Sequence, residues 1–345
     1  MNVLFLQTIN PGVCWYRIYQ FAQKMSELGL AHCRVFPDFD PKRLMAPDWE
    51  RKLNENITEL EAQADWADIV VCQYINSAEG LSVVQAIRDS RPILMEVDDY
   101  FKQVPHQSIA YDCNRPGDGQ DLWATRQIME SSGVVVSTPW LAEQYKEFNQ
   151  NIKCIPNCID FTHYDHIQPS PHDLIRIGWI GGATHESDLK LVRDVLIVLL
   201  AERKDIEVYI VSSPPPSWGE HERLHLIDKW VHIDKYARHV KELAFDIGIA
   251  PLKDNLFNRG KSNLRALEYS ACGVPTVASW VEPYKNGFPL LYARSEDAWE
   301  KNLRYLIDNE QARKEKGKQA YDYVREHYNI ENVAVMYADY LKGYI

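Results

Sequence analysis

Several classes of protein are excluded by what the sequence of 345 residues lacks. No stretch approaches the roughly 18 consecutive apolar residues that a membrane-spanning helix needs. The first residues, MNVLFLQTINPG, have no basic segment before an apolar run, so they predict a β-strand rather than a signal peptide. The seven cysteines are scattered and odd in number, which favours reduced thiols and a cytoplasmic protein without a metal site.

Positive charge is also scarce. Lysine and arginine together number 38 against 49 aspartates and glutamates, which gives a formal net charge of −11. A protein that grips a nucleic acid needs clustered cations, so this balance disfavours DNA or RNA as the main partner. The sequence contains no P-loop, G-x-S-x-G or H-E-x-x-H motif, and it therefore gives no support to a kinase, a serine hydrolase or a zinc protease.

Predicted strands and helices alternate along the whole chain, which is long enough for two domains of roughly 150–170 residues. Such alternation predicts parallel sheets with helices on both faces. The strands predicted in the first half are Val3–Gln7, Ile69–Gln73, Pro92–Val97, Val134–Thr138 and Lys153–Ile155. Those predicted in the second half are Arg176–Ile180, Glu207–Val211, Val231–Ile233, Asp246–Ala250, Thr276–Ala278 and Pro289–Tyr292. The helices predicted in the second half include Glu220–Lys229.

The most informative segment is Asp246–Ser279, DIGIAPLKDNLFNRGKSNLRALEYSACGVPTVAS. Its pattern predicts a buried strand, a polar loop, a helix that ends at Gly273 and a second strand. Anions bind where a strand leads through a loop into a helix, because unpaired N–H groups and the helix dipole converge there. Lys261 and Ser262 are predicted to open the helix, with Glu268 two turns further along the same face.

A lysine and a glutamate on one helical face could bind the phosphate and the sugar hydroxyls of a nucleotide-sugar. The alternative is a solvated ion pair between Lys261 and Glu268, which is the commoner outcome for side chains at this spacing. Spacing alone leaves both interpretations open.

The same segment resembles the donor-binding segment of GT-B glycosyltransferases of the retaining family 4 (glycosyl transferases group 1), a group that includes phage-type members. Twelve of its residues match one branch of that family: Asp246, Pro251, Asn258, Lys261, Ser262, Leu264, Leu267, Glu268, Tyr269, Gly273, Pro275 and Ser279. The resemblance implies that the donor is bound by Asn258, Lys261, Ser262, Asn263 and Glu268. The wider family has a second glutamate eight residues earlier, where this chain has Gly260, so the resemblance does not specify the donor sugar.

Two further motifs resemble the same branch. The turn Gly178–His185, GWIGGATH, joins a strand to a helix, and its glycines permit close approach of the backbone to a phosphate. The resemblance places Gly181, Gly182 and His185 at the donor, although His185 could instead cap or pack against the helix. Arg17, in the loop and helix after the first strand, is a candidate cation for the acceptor or a phosphate, with an ordinary surface arginine as the alternative.

Carboxylates follow the strand Pro92–Val97 in the sequence Glu96-Val97-Asp98-Asp99. Side chains at the carboxyl end of a parallel strand face the ligand-binding edge, so Asp98 or Asp99 could orient acceptor hydroxyls or act as a base. A capped turn or an ion pair is the alternative. His106, in the following loop, lies about where retaining relatives have a histidine that contacts the donor sugar.

The implied fold is α/β GT-B, with two Rossmann-like domains that face each other across a cleft. The expected divisions are an acceptor domain over residues 1–160, a linker over 161–173, a donor domain over 174–328, and a C-terminal helix, 329–345, that packs back on the first domain. The implied activity transfers a sugar from a UDP-sugar or GDP-sugar to a hydroxyl, with retention. The expected acceptor is a glycan or lipid-linked glycan, with no metal or other cofactor.

Two other functions stay open at this stage. One is transfer of a sugar to a hydroxymethylated DNA base, as phage GT-B enzymes do, although the net charge disfavours it. The other is a catalytically degenerate GT-B protein that binds a nucleotide and serves as a partner subunit. The glycine at position 260 favours this last interpretation, whereas Lys261 and Glu268 oppose it.

Overall fold

The computed structural model describes residues 1–7, 11–37, 57–106, 111–114, 119, 121–169, 171–285 and 287–345. It divides into two compact units. The first contains residues 1–158, 260–262 and 330–345, and the second contains residues 159–259 and 263–329. None of the helices in these ranges is long and apolar enough to span a membrane.

The first unit is built on a six-stranded parallel sheet with the strand order β2-β1-β3-β4-β5-β6. The strands are β1 (Asn2–Leu6), β2 (His32–Phe36), β3 (Ile69–Gln73), β4 (Ile93–Val97), β5 (Gly133–Val136) and β6 (Ile152–Cys154). Its helices are Pro11–Cys14, Gln20–Glu27, Ile57–Trp66, Ala78–Arg88, Tyr111–Asn114, Asp121–Glu130, Pro139–Tyr145 and Ile330–Lys342. The strands β3 and β4 are buried along their whole length, as strands with helices on both faces must be.

The second unit has a six-stranded parallel sheet of order β12-β11-β10-β7-β8-β9. Its strands are β7 (Ile175–Ile180), β8 (Ile206–Ser212), β9 (Leu224–Asp228), β10 (Ile247–Ala250), β11 (Thr276–Ser279) and β12 (Leu291–Ala293). Its helices are Glu186–Glu202, Ile233–Glu242, Leu256–Arg259, Leu264–Ala271, Glu296–Asp308 and Glu310–His327. This is the Rossmann strand order, in which the direction of winding reverses between β7 and β10 and ligands bind beyond the carboxyl ends of those strands.

Local sequence explains several helix ends. The hydroxyls of Ser77 and Thr138 accept hydrogen bonds from the backbone N–H groups of the first turns of their helices. The helix Leu264–Ala271 ends as predicted at Gly273, which adopts a positive φ of 72°. The Gly273 and Val274 N–H groups bond back to the carbonyls of Ser270 and Tyr269 (2.8 and 2.9 Å), the pairing of a Schellman C-cap.

The last helix packs in the first unit, as the resemblance implied. Ile330, Val333 and Tyr337 are buried in one apolar cluster with Val3 and Phe21. The Tyr337 ring makes edge contacts with the rings of Phe5 (6.3 Å between centroids) and Phe21 (5.2 Å). These contacts bring the end of the chain onto the sheet formed by its beginning.

The structure corrects two of the predicted elements. The residues predicted as the helix Glu220–Lys229 contain the edge strand β9, which pairs in parallel with β8 from Val208–Leu224 to Ser212–Asp228. Residues 231–233 are not a strand, because the helix Ile233–Glu242 begins there. The strand β2 was not predicted from the sequence. It is an edge strand of the sheet in the first unit.

Candidate functional site

The predicted donor residues of the second unit lie at the end of β7 and in the segment that follows β10. His185 Nδ1 lies 2.9 Å from Asp188 Oδ2. The other Asp188 oxygen accepts from Asn258 Nδ2 (3.1 Å) and from the backbone N–H of Lys253 (2.9 Å). Asp188 therefore connects the glycine turn after β7 with the loop after β10, at the reversal point of the sheet.

His185 is oriented by Asp188, and its ring makes an edge contact with that of Trp179 (6.1 Å between centroids). Its side chain makes no capping hydrogen bond to the helix Glu186–Glu202, so the capping role allowed by the sequence is not observed. With Nδ1 beside the Asp188 carboxylate and the side chain 30% exposed, Nε2 is the nitrogen that a ligand would meet. Gly181 and Gly182 lie four and three residues before His185 in the same turn.

Glu268 lies in a compact group of polar side chains. Its carboxylate is 2% exposed, and Oε2 accepts hydrogen bonds from Arg265 Nη1 (2.7 Å) and Tyr236 Oη (3.3 Å). Arg265 also donates to Tyr236 Oη. Arg265 and Tyr236 are not among the site residues predicted from the sequence. Arg265 could have been predicted, because it lies three residues before Glu268 and a helix puts residues at this spacing on one face.

Lys261 does not lie on that helix. The helix begins at Leu264, so the prediction that Lys261 and Ser262 open it, with Lys261 sharing a face with Glu268, is wrong. Lys261 Nζ instead lies 2.8 Å from both carboxylate oxygens of Asp99, and both residues belong to the first unit. The sequence left open an ion pair between Lys261 and Glu268. The structure instead has two separate ion pairs, Lys261 with Asp99 and Glu268 with Arg265.

Gly260 has a steric reason to be a glycine. A Cβ placed on it would lie 3.0 Å from Tyr100 Cβ, 3.0 Å from Leu141 Cδ2 and 3.2 Å from the backbone nitrogen of Tyr100. Because part of that contact is with backbone, a longer side chain would have to displace the segment after β4.

Arg17 is buried rather than displayed on the surface. It lies in a π-helical turn, Trp15–Tyr19, and its Nε donates to Glu96 Oε1 at 2.6 Å with both side chains 1% exposed. Its Nη1 donates to the carbonyl of Ile155 (2.7 Å) and to Asn157 Oδ1 (3.0 Å). Asn157 in turn donates to Ser262 Oγ (2.8 Å).

This network excludes the ordinary surface arginine as an account of Arg17. Burial acts to lower the pKa of Arg17, but the attraction of Glu96 outweighs it and the pKa is raised; burial also raises the pKa of Glu96. Within the described part of the chain Arg17 Nη2 has no hydrogen-bond partner, and contact with an acceptor or phosphate stays a prediction. π-helical turns of this kind are frequent at functional sites.

Asp98 is a further titratable group of the first unit whose pKa is shifted. Burial, together with the negative charges of Asp99 and Glu96, raises its pKa to about 8, while Arg17 and Lys261 act in the opposite direction. At neutral pH the Asp98 carboxyl is therefore largely protonated and can donate a hydrogen bond as well as accept one.

The raised pKa of Asp98 predicts how stability changes with pH. Between its unfolded pKa near 3.8 and its folded pKa of about 8, the folded protein binds the extra proton, so stability falls as pH rises through this window. One proton bounds the slope at ~1.4 kcal/mol per pH unit, and partial exposure of Asp98 lowers it. Urea unfolding of Asp98→Asn at pH 5.5, 7 and 8.5 should show a flatter slope than wild type. Parallel curves for the two proteins would contradict the assignment.

The remaining predicted residues are less connected. His106 is exposed, and its ring lies 4.1 Å from that of Tyr111, centroid to centroid. Asn263 is buried at the residue before the helix, where its backbone carbonyl accepts from Ala266 and Leu267. The roles assigned to His106 and Asn263 stay predictions.

Comparison with known proteins finds a similar family for part of the chain and similar folds for nearly all of it. Residues 193–339 match the family described as "Glycosyl transferase-like". No curated protein matches the sequence significantly.

Three solved structures share the fold across 99% of this chain. Sucrose-phosphate synthase from Thermosynechococcus elongatus is 13% identical, with a TM-score of 0.70 over 98% of its own chain. HepE of Anabaena, in complex with UDP and glucose, is 12% identical, with a TM-score of 0.69 over 100%. A Listeria monocytogenes protein described as a UDP-N-acetylglucosamine 2-epimerase is 12% identical, with a TM-score of 0.61 over 95%. The chain thus has the two Rossmann-like domains of GT-B proteins, and its second half is similar to glycosyl transferases.

Proposed function

We propose that the protein is a glycosyltransferase that moves a sugar from a nucleoside-diphosphate sugar to an acceptor hydroxyl. The observation that carries this proposal is the match of residues 193–339 to the glycosyl transferase-like family, because that stretch contains both Lys261 and Glu268. The fold alone does not decide the activity, since an epimerase has it as well. UDP is the first nucleotide to test, because HepE has a similar fold and was solved with UDP.

Contacts to the ribose and to the glycine turn are assigned to the second unit. Glu268 would accept hydrogen bonds from the ribose hydroxyls, and the backbone of Gly181 and Gly182 would approach the diphosphate. His185, held through Nδ1 by Asp188, would direct Nε2 at the donor. The support for these roles is that the residues lie beyond β7 and β10, where ligands of Rossmann sheets bind.

The chemistry needs no nucleophile from the enzyme. The bond between the sugar C1 and the diphosphate oxygen breaks, and the acceptor oxygen bonds to C1 from the same face, with its proton passing to the departing phosphate. Lys261 neutralises the charge that develops on the diphosphate. Asp98, largely protonated at neutral pH, would orient the acceptor through hydrogen bonds. Its position at the end of β4 supports an acceptor site in the first unit.

The acceptor that we propose is a glycan or lipid-linked glycan. Net acidity disfavours DNA, because neutralising phosphates requires clustered cations. No disulfide is assigned to the six cysteines whose side chains are described, in keeping with a cytoplasmic protein. A gel shift on plain and hydroxymethylated DNA at moderate salt separates the two acceptor classes, and a shift specific for modified DNA would favour the phage-type activity.

Turnover is expected to survive removal of divalent metals. Lys261 and backbone donors supply the neutralisation of the leaving group, and the Asp99 carboxylate is already paired with Lys261. Initial rates should agree within about twofold before and after EDTA treatment, as expected where no metal contributes transition-state stabilisation. Loss of turnover in EDTA that manganese restores would contradict this and assign a metal to Asp98 and Asp99.

A further inference from the structure

Asn157 joins two parts of the first unit, the buried Arg17 and the residue that follows Lys261. Its Oδ1 accepts from Arg17 Nη1 at 3.0 Å, and its Nδ2 donates to Ser262 Oγ at 2.8 Å. A guanidinium has donors only, so the Asn157 oxygen faces Arg17 and the amide nitrogen faces Ser262. The chemistry of Arg17 therefore fixes which way round the Asn157 amide lies.

Arg17 is itself held in place by several bonds. Its side chain is 1% exposed, Nε donates to Glu96 in β4 (2.6 Å), and Nη1 also donates to the carbonyl of Ile155 (2.7 Å). The backbone at this point is the π-helical turn Trp15–Tyr19. A planar guanidinium that is bound at both Nε and Nη1 cannot rotate without breaking one of these bonds. Asn157 is therefore oriented by a fixed group.

Lys261 lies between two neighbours that are both in contact with the rest of the first unit. On one side, a Cβ added to Gly260 would lie 3.0 Å from Tyr100 Cβ and 3.2 Å from the Tyr100 nitrogen, so Gly260 packs closely against the segment after β4. On the other side, Ser262 is bound by Asn157. All five residues belong to the first unit. The backbone of Lys261 is thus held on both sides.

We propose that Asn157, oriented by Arg17, is a positioning residue that acts through Ser262 and holds Lys261 where its ammonium meets the departing diphosphate. The inference rests on the proposed function, which gives Lys261 its role. Asn157 touches neither the donor nor the acceptor in this account. It acts by fixing the backbone of Lys261, and a displacement of about 1 Å in a positioned group can lower the rate by ~10².

The first test is Asn157→Ala, which breaks the connection and leaves the side chains of Lys261 and Asp99 intact. The kcat for donor hydrolysis without acceptor should fall roughly 10- to 100-fold. The KM for the donor should change less, because the Lys261 charge is worth more in the transition state than in the ground state. An unchanged kcat in folded Asn157→Ala would overturn the inference.

A double-mutant cycle with Lys261→Ala separates positioning from a general effect on the fold. If Asn157 acts through Lys261, adding Asn157→Ala to Lys261→Ala should change kcat by less than about twofold. A purely structural role predicts the same fractional loss with and without Lys261, and that result would also count against the inference. Asn149→Ala is the matched control, because the Asn149 amide bonds to the carbonyls of Ile128 and Ser131 in the same unit. It should leave kcat unchanged.

Ser262→Ala tests the second link of the connection. It should lower kcat to the same extent as Asn157→Ala, and the two changes together should lower it no further. Direct contact of Ser262 with the donor predicts losses that multiply, and multiplied losses contradict the proposal. Ser262→Thr keeps the hydroxyl and should retain most of the rate.

A structural measurement decides the positioning claim without any activity. In crystals of Asn157→Ala the Lys261 side chain should have moved away from Asp99 or lost its density, whereas Nζ that stays within hydrogen-bond distance of both Asp99 oxygens contradicts the inference. Wild type that neither binds nucleotide nor releases nucleoside diphosphate overturns the proposed function, and the crystals still show whether Asn157 holds Lys261 in place. Wild type that turns over a donor no faster than Asn157→Ala overturns the inference alone.

Discussion

Lys261→Ala should lower kcat by on the order of 10²–10³, comparable to the loss of one preorganised oxyanion donor. Charge builds up on the diphosphate as the sugar departs, so a cation there is worth more in the transition state than in the ground state. Donor affinity should change less than kcat. In the structure Lys261 holds both oxygens of Asp99, and each side chain is a little over one quarter exposed.

In the competing account, the role of Lys261 is limited to its ion pair with Asp99 and it does not act in catalysis. Loss of a partly exposed pair costs at most ~1 kcal/mol of stability and leaves turnover normal. Steady-state kinetics and thermal unfolding of the same Lys261→Ala sample separate the two accounts. Lys314→Ala, which removes an exposed lysine paired with Glu310, is the matched control and should retain full activity. Near-normal kcat in Lys261→Ala would end the catalytic assignment.

Lys261→Arg should recover little of the lost rate. A guanidinium is wider than an ammonium and presents its donors in a fixed plane. A lysine that served only as a charge for Asp99 would tolerate this change, because arginine pairs well with carboxylates. Wild-type kcat in Lys261→Arg would therefore favour the structural account.

Glu268→Ala should weaken binding of UDP or GDP by roughly 1–3 kcal/mol, the range for losing hydrogen bonds in which one partner is charged. The carboxylate is 2% exposed, and its removal also leaves Arg265 without its anionic partner. A fall in thermal stability should accompany the loss of affinity, because an unpaired buried charge is destabilising.

Glu268→Gln separates binding from stability. It keeps the volume of the side chain and an oxygen that can accept from Arg265, so it should cost less stability than Glu268→Ala, although Arg265 still loses its anionic partner. The anionic acceptor for ribose is lost in both variants. Glu300→Ala, which breaks the exposed pair with Arg304, is the control for the loss of a helical carboxylate. Calorimetry that gives wild-type nucleotide affinity for folded Glu268→Ala would remove the nucleotide assignment.

The central strands of both sheets could be predicted from sequence. The residues of β3 were predicted to the residue, and those of β4, β7 and β10 to within one residue at each end, because a strand covered on both faces is an uninterrupted apolar run. Edge strands lack that run. The strand β2 buries only Phe36 fully, and the sequence around β9 contains helix-forming charged residues whose propensity is overridden by pairing with β8.

The identity of the candidate site residues was easier to predict than their partners. Glycines 181 and 182, Lys261 and Glu268 belong to motifs that are local in sequence. The contacts of Lys261 with Asp99 and of Arg17 with Glu96 join residues 162 and 79 positions apart, and no local pattern encodes such distances. The π-helical turn that buries Arg17 could not be predicted either, because a single turn with an extra residue does not change the spacing of apolar residues in a recognisable way.

The most direct test of the account is a panel of UDP- and GDP-sugars incubated with the purified protein without acceptor, with released nucleoside diphosphate measured over time. A glycosyltransferase hydrolyses its own donor slowly, so one sugar should give release well above the rest, and Lys261→Ala should abolish it. Conversion of the donor to an epimer would assign an isomerase instead. No release from any donor, together with no binding of UDP or GDP, would contradict the account.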